Sequence, residues 1–515
     1  MREEEEQILF EITSNITNKS AQSHIQHTFF VPENSETVYI DFSYDPPHEK
    51  EINENYRLME EASSYYETKI SHNSHDPIRN LLTLSLNDHD GFRGARHYHS
   101  PIQHVEISDS HSSPGFLNRK NTAGLWSVTV SVHALVTKTC EYRLRIYRKT
   151  NQDNYSTIPW RNKPLFQEIK ENESGIPSFP KEEGFRKWIA SELHTHTYHS
   201  DGKQSVLEMV EVAKKMGIEA VVMTDHNTIS PFEEIEDAKA ESGINILYGL
   251  EWTTFYGHLL TVGYKEPAYT DWRKIGPLDI EKGITEIRKQ DALVGIAHPF
   301  RIGNPIGTGC HWEFSFESVN AFDFIEVWNS TRPGFKSYNQ RAFQYWTELL
   351  NKGYRITATA GRDWHHNEEK NPLPAVTYLQ MPEVSIDKDA FRTDFLLAIR
   401  AGRVSISYGK PLQLTVKQGE SMYEVGDIVR HLDHQPIHIQ VCSEEWNHNN
   451  RMDKTQATLV IVTNDGEVAS GCLGQLHLET EINSKDVKWI RSELYVPIDN
   501  GDPELVAFTN PVYVR

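Results

Sequence analysis

Cysteine is scarce: four residues in 515, Cys140, Cys310, Cys442 and Cys472, all widely spaced. None forms Cys-x-x-Cys, which argues against a zinc finger or a dithiol redox site. Scattered thiols, and an acidic N-terminus without the apolar core of a signal peptide, predict a cytoplasmic chain. No apolar run reaches about 18 residues, so no membrane span is expected. Positive charge is also short, with 52 Lys and Arg against 73 Asp and Glu, a net charge of −21. A long nucleic-acid groove needs a basic stripe, so long nucleic acid is not an expected partner. Small anionic substrates stay open, because bound cations would make a site locally positive. The chain has no glycine-rich phosphate loop, Ser-His-Asp arrangement, internal repeat or low-complexity tract.

What is present divides by pattern. Residues 1–150 read as a β-rich, sandwich-like domain, with alternating segments at Thr37–Phe42, Leu81–Leu86, Trp126–Val132 and Tyr142–Tyr147. Residues 151–187, rich in Pro, Glu, Asn and Lys, read as a linker. Strand and helix patterns alternate over 188–409, which implies a parallel α/β sheet. Residues 410–515 return to β, with Leu412–Val416, Ile437–Val441 and Ala457–Val462 as strands.

The middle stretch carries the chemistry. Strand Trp188–Leu193 runs into His194-Thr-His196, and side chains two apart on a strand face the same way. A helix over 205–216 follows, with Val206, Met209, Val210 and Ala213 at helical spacing. The next strands run over 218–223, 244–250, 259–264, 293–297, 324–328 and 355–360. At or beside strand ends stand His194, His196, His226, His258, His298 and His365, with Asp201, Glu251 and Asp363. Singly, each is an ordinary polar loop residue. Together, at the C-terminal strand ends of one barrel, they form a ligand set. Imidazole with carboxylate suits zinc, manganese or iron. His27, His97, His311 and His434 lack this placement, and His199 and His366 adjoin the set as outer candidates. Arg301 is a candidate contact for a phosphate or carboxylate; Glu326 and Asn329 are candidate pocket residues. Asp225 and Arg362 are candidate supports.

These motifs resemble the polymerase and histidinol phosphatase (PHP) superfamily. The matching residues are His194-Thr-His196, Ser200-Asp-Gly202, Thr224-Asp-His226, Gly249-Leu-Glu251, Gly257-His-Leu259, Ala297-His-Pro299 and Asp363-Trp-His365. The resemblance implies a distorted (β/α)7 barrel with two or three divalent metal ions (Mn, Zn or Fe), flanked by β-sandwich-like domains. It also implies a partition. His194, His196, Glu251 and Asp363 would hold one metal; Glu251 would bridge to a second on His258 and His298; Asp201, His226 and His365 would hold a third. One family position that can be His is Asp201 here, and Asp at that position is similar to the phosphoesterase and exonuclease branch. Asp88–Gly94, Ser113–Phe116, Gly124–Trp126, Trp489–Tyr495 and Phe508–Pro511 are similar to the carbaryl-hydrolase-like CehA/McbA branch.

Water shared by two cations loses a proton near neutral pH, and the hydroxide attacks phosphorus or a carbonyl carbon. The first expectation is therefore phosphoester hydrolysis, on a small phosphorylated molecule, a nucleotide or a short oligonucleotide end. The second is carbamate, ester or amide hydrolysis, with Trp252, Phe255, Tyr256, Phe300 and Trp328 as an apolar wall. A metal-stabilised binding protein is the distant third. Metal identity and oligomeric state are open.

Overall fold

In this computed structural model, the residues described are 5–68, 77–150, 186–265, 267–367, 374–383, 388–430, 435–443, 457–472, 477–482, 486–497 and 502–515. The linker expected over 151–187 lies outside them except for its last two residues, as does His434. The chain divides into two compact units, Met1–Asn55 with Asp76–Gly184, and Tyr56–His75 with Phe185–Arg515.

The first unit holds two four-stranded antiparallel sheets. One runs Glu5–Thr17, Thr139–Thr150, Val38–Asp45, Ile102–Ile107; the other runs Ser23–Val31, Gly124–Ala134, Leu81–Asp88, Gly91–Arg96. Val38–Asp45 alternates buried and partly exposed positions, as a strand with one wet face must. Both sheets feed one apolar core that includes Phe29, Phe42, Leu84, Trp126 and Leu144. The Asp88–Gly94 motif is structural here. Buried Asp88 takes hydrogen bonds from Arg93 Nη1 (3.1 Å) and Arg119 Nη2 (2.6 Å). Helix Ile52–Tyr65, which from Tyr56 onward belongs to the second unit, was not foreseen in the sequence.

The second unit is mixed α/β. Its strands, in chain order, are β1 (Arg186–Glu192), β2 (Ala220–Met223), β3 (Asn245–Thr253), β4 (His258–Val262), β5 (Leu293–Ile296), β6 (Phe324–Asn329), β7 (Thr357–Gly361) and β8 (Val376–Pro382). Helices α1 (Val206–Lys215), α2 (Ile235–Ser242), α3 (Ile280–Arg288), α4 (Ser337–Asn351) and α5 (Lys388–Ala401) lie between and after them. Helix α1 starts at a capping box, Ser205 with Glu208, and buries Val206, Met209, Val210 and Ala213. Gly217, at φ 79°, follows its end.

The sheet order is β7-β6-β5-β4-β3-β2-β1-β8. The expectation of an all-parallel sheet needs correction: β4 runs antiparallel to both β3 and β5. Only residues 254–257 separate β3 from β4, and a parallel crossover needs about a dozen residues. Strands β1 and β7 meet just past their ends at one bridge, Thr195 with Trp364. Trp364 N donates to His194 O (3.1 Å), and His196 N donates to Trp364 O (3.0 Å). The sheet also continues across residue 409. Strand Val404–Ser407 pairs with both β8 and Glu504–Thr509. Beyond it lie Trp489–Val496, Thr458–Thr463 and Gly466–Cys472. A separate antiparallel sheet runs Ser421–Glu424, Leu412–Gln418, Ile437–Ser443, His477–Ile482. No helix among the described residues is long and apolar enough to cross a membrane.

Candidate metal centre

The bridge between β1 and β7 decides where the site forms. It sets His194 and His196, beyond β1, against Asp363 and His365, beyond β7. A second bridge, His226 with Glu251, does the same for the ends of β2 and β3. His258 opens β4 and His298 follows β5.

Three groups of donors result. His194, His196, Glu251 and Asp363 form one. His194 Nε2 lies 3.2 Å from Glu251 Oε2 and 3.4 Å from Asp363 Oδ1. His196 Nε2 lies 3.4 Å from Glu251 Oε2 and 3.0 Å from Asp363 Oδ1. The other oxygen of Glu251 faces the second group: Oε1 is 2.9 Å from His258 Nδ1 and 3.2 Å from His298 Nε2. The third group is Asp201, His226 and His365, with His196 beside them. Asp201 Oδ1 is 3.4 Å from His226 Nε2 and 3.2 Å from His365 Nε2. All nine ligand candidates thus come together, with Glu251 shared by two groups.

The donor set fits cations better than hydrogen bonding. Among the described residues, His194 Nε2, His196 Nε2 and Glu251 Oε2 are buried and make no hydrogen bond, although they lie within reach of one another and Glu251 Oε2 is 2.9 Å from His226 Nδ1. Ligand atoms about 2.1 Å from one cation, at angles of about 90–110°, stand about 3.0–3.4 Å apart. Buried polar atoms left without partners are costly, so a ligand-free core of this kind is poorly satisfied.

Electrostatics divide the donors: burial disfavours charge on His194 and His226, yet Glu326 and Glu251 raise the first and Glu251 and Asp201 the second above the ordinary imidazole range. Burial alone would raise the Glu251 carboxyl, but His194, His226 and His258 outweigh it and hold it well below the usual carboxylate range. Asp363 is depressed in the same way, burial being overcome by His194 and Arg301. Burial lowers His196 to about 3, with His365 and His226 adding to it, and lowers His258 to about 4. Those two rings are neutral and keep a lone pair. His365 is opposite: burial disfavours its charge, yet Asp201 and Asp363 raise it to about 10. Two of the candidate ligands also hold left-handed backbone, His298 at φ 25° and Asp363 at φ 56°, a conformation that persists at functional sites.

The remaining candidates surround the donors. Glu326 Oε1 is 2.9 Å from His194 Nδ1, and Oε2 accepts from His298 N at 3.0 Å and Asn329 Nδ2 at 3.1 Å. Both oxygens are occupied, so Glu326 and Asn329 orient ring and backbone. Asp225 accepts from Thr197 N (2.9 Å) and Ser200 Oγ (2.7 Å), holding the turn that carries Asp201. Arg301 Nη1 pairs with Asp363 Oδ2, and its side chain remains 38% exposed. Arg362 lies over the Trp364 ring at 4.5 Å. His199 turns instead to Ser230 and Glu234, His366 is exposed, and His311 packs on Tyr66.

Two residues near the centre escaped the sequence reading. Cys310 groups with His258 and His298. Glu192 accepts from His194 N (3.1 Å) and Arg362 N (2.9 Å), and burial raises its carboxyl to about 7. Glu192 was detectable, being two residues before His194 on the same strand face; Cys310, in a loop, has no such register.

The signature of the PHP domain matches residues 192–291. An uncharacterized protein of Methanocaldococcus jannaschii is 30% identical over 123 residues, 22% of this chain and 68% of that protein. A 5'-3' exoribonuclease of Haemophilus influenzae is 38% identical over 63 residues, 12% of this chain and 23% of its own length. A crystal structure from Bacteroides vulgatus, a two-domain protein containing a predicted PHP-like metal-dependent phosphoesterase, shares 14% identity. It covers 67% of this chain and 100% of that one, with a TM-score of 0.36. This chain belongs to the PHP-domain family. His298, Asp363 and His365 lie beyond the matched segment, and geometry alone joins them to it.

Proposed function

We propose that this chain is a metal-dependent hydrolase that cleaves phosphoesters, on a small phosphorylated molecule, a nucleotide or the end of a short oligonucleotide. The observation that carries the reading is the set of three adjacent donor groups, two of them sharing Glu251, with the Arg301 guanidinium beside them at Asp363. The seven strands β1–β7 are read as the distorted barrel of the family.

When bound, divalent cations supply Lewis acidity and lower the pKa of water at the site. The protein's part is positioning and charge. Glu251 would hold two cations through its two oxygens, and Asp363 would join the first of them. His196 and His258 stay neutral at physiological pH and present lone pairs without first losing a proton. Glu326 fixes the His194 ring so that Nε2 faces inward. Arg301 would take a phosphate oxygen in a charge-assisted, bidentate contact.

The carbamate reading needs an apolar wall, and each of its candidate rings already has a packing partner in the fold. Trp252 Nε1 donates to Thr270, and its ring lies against Gly283 of α3. Trp328 packs on Phe508, Phe255 on Trp272, Tyr256 on Phe314 and Phe300 on Tyr345. These contacts favour the phosphoester reading, as does the exoribonuclease named among the relatives.

The test supplies Zn, Mn or Fe and compares bis-p-nitrophenyl phosphate with 1-naphthyl N-methylcarbamate. Phosphodiester turnover is expected. Carbamate turnover alone would move the assignment to the carbaryl-hydrolase type, and metal binding without either turnover would favour a non-enzymatic role.

A further inference from the structure

Cys310 is 8% exposed and lies in the loop after β5. Its sulfur and one nitrogen each of His258 and His298 all stand within 4.8 Å of one another. His258 Nδ1 and His298 Nε2 face Glu251 Oε1, while His258 Nε2 lies 3.2 Å from Thr308 O in the loop that carries Cys310. A buried cysteine is ordinarily a small apolar filler. Burial acts most strongly on this thiol, and Arg301, Asp363, Glu251 and His194 also act on it electrostatically. The loop is built to bring it close. Gly309, at φ 71°, has no room for a side chain: a Cβ would meet Thr254 O at 1.9 Å and His258 Nε2 at 3.3 Å. Cys310 N donates to Gly307 O at 3.0 Å, and Gly307 N to Gly303 O at 2.9 Å, which folds the loop back on itself. The neighbouring His298 ring is 2% exposed, and its Nδ1 makes no hydrogen bond among the described residues.

We propose that Cys310 is a further ligand to the cation held by His258 and His298, so that this group is a thiolate site. The inference rests on the metal-dependent reading above. Two imidazoles and one sulfur make a donor set of the kind zinc accepts, with one coordination position left over. As the sulfur–metal bond forms, the thiol proton passes to solvent, and no electron is transferred. Sulfur is the softer donor, so this group selects zinc, cobalt or iron over manganese and magnesium. The group of His196, Asp201, His226 and His365 has only nitrogen and oxygen donors and carries no such bias.

The experiment loads the full-length protein with Co²⁺ and records the near-ultraviolet sulfur-to-cobalt charge-transfer band, beside Cys310→Ser and Cys310→Ala. The proposal expects the band in the wild type and its loss in both variants, with cobalt still bound at the other groups. Zinc affinity at one equivalent per chain should fall by about 10–100-fold or more, the loss that even groups one step removed from a metal produce. X-ray absorption on the zinc-loaded wild type keeps the idea testable if the variants misfold, since zinc–sulfur scattering falls at about 2.3 Å. Cobalt bound without the band, or zinc with only nitrogen and oxygen neighbours, overturns the thiolate ligand and leaves the metal reading standing. A wild type that binds neither metal overturns both.

Discussion

Replacing Glu251 with Gln tests the shared ligand. The side chain keeps its shape but loses its charge, and each oxygen now facing a different group becomes a weaker or non-binding atom. Even residues one shell out from a metal typically cost about 10–100-fold in affinity. Applied at two groups, the combined loss is about 10²–10⁴-fold. Tenfold in affinity is about 1.4 kcal/mol, so metal-linked stabilisation at fixed excess metal should fall by about 3–6 kcal/mol. The metal-free fold should survive, because the histidines around Glu251 can shed protons when the anion is removed. The assay combines metal content after gel filtration, thermal melts with and without metal, circular dichroism and phosphodiester turnover. E251Q with wild-type metal content, the same metal-dependent rise in Tm and full turnover would refute the reasoning.

Arg301→Ala should, with metal in excess, lower kcat/KM for phosphodiesters by about 10- to 150-fold, the worth of a hydrogen bond to a charged group of about 1.5–3 kcal/mol; unchanged kinetics would remove Arg301 from the substrate site. Gly249→Ala should reduce stability by about 1–3 kcal/mol and disturb metal uptake. Its Cβ would meet Thr261 O and Val222 Cγ1, each at 2.6 Å, two residues from Glu251 on the same face. Denaturant titration and metal analysis check both effects. Glu192 gives a pH signature. Its carboxyl is raised to about 7 in the fold from the ordinary 4.5, so the folded state holds the proton more tightly than the unfolded chain. Stability from this group is present below pH 4.5 and is lost as pH rises towards 7, by about 3 kcal/mol at most. Glu192→Gln mimics the protonated form, so the variant should gain on the wild type between pH 5 and 8; parallel stability–pH curves would contradict this.

Much of the site was legible because it is written at strand ends. Periodicity located the strands, and alternation within His194-Thr-His196 set two rings on one face. The pairing of β1 with β7 was not legible, since a bridge between residues 195 and 364 depends on closure of the whole sheet. The reversed β4 could have been read from its four-residue connection to β3. The continuation of the sheet through Val404–Ser407 into Glu504–Thr509 could not, because strand partners far apart in sequence leave no local pattern. Glu326 and Asn329 were noticed as polar residues at a strand end; their orienting role required knowing that His194 Nδ1 and His298 N face them.

The central claim is that the donors gathered around Glu251 hold catalytic cations. The most direct measurement is elemental analysis of the purified protein, paired with phosphodiester turnover before chelation, after chelation and after metal is restored. The account predicts two or three equivalents of transition metal per chain, with turnover lost on chelation and regained on reloading. Turnover that persists in metal-free protein, or folded protein that neither takes up Zn, Mn or Fe nor turns over substrate, would contradict it.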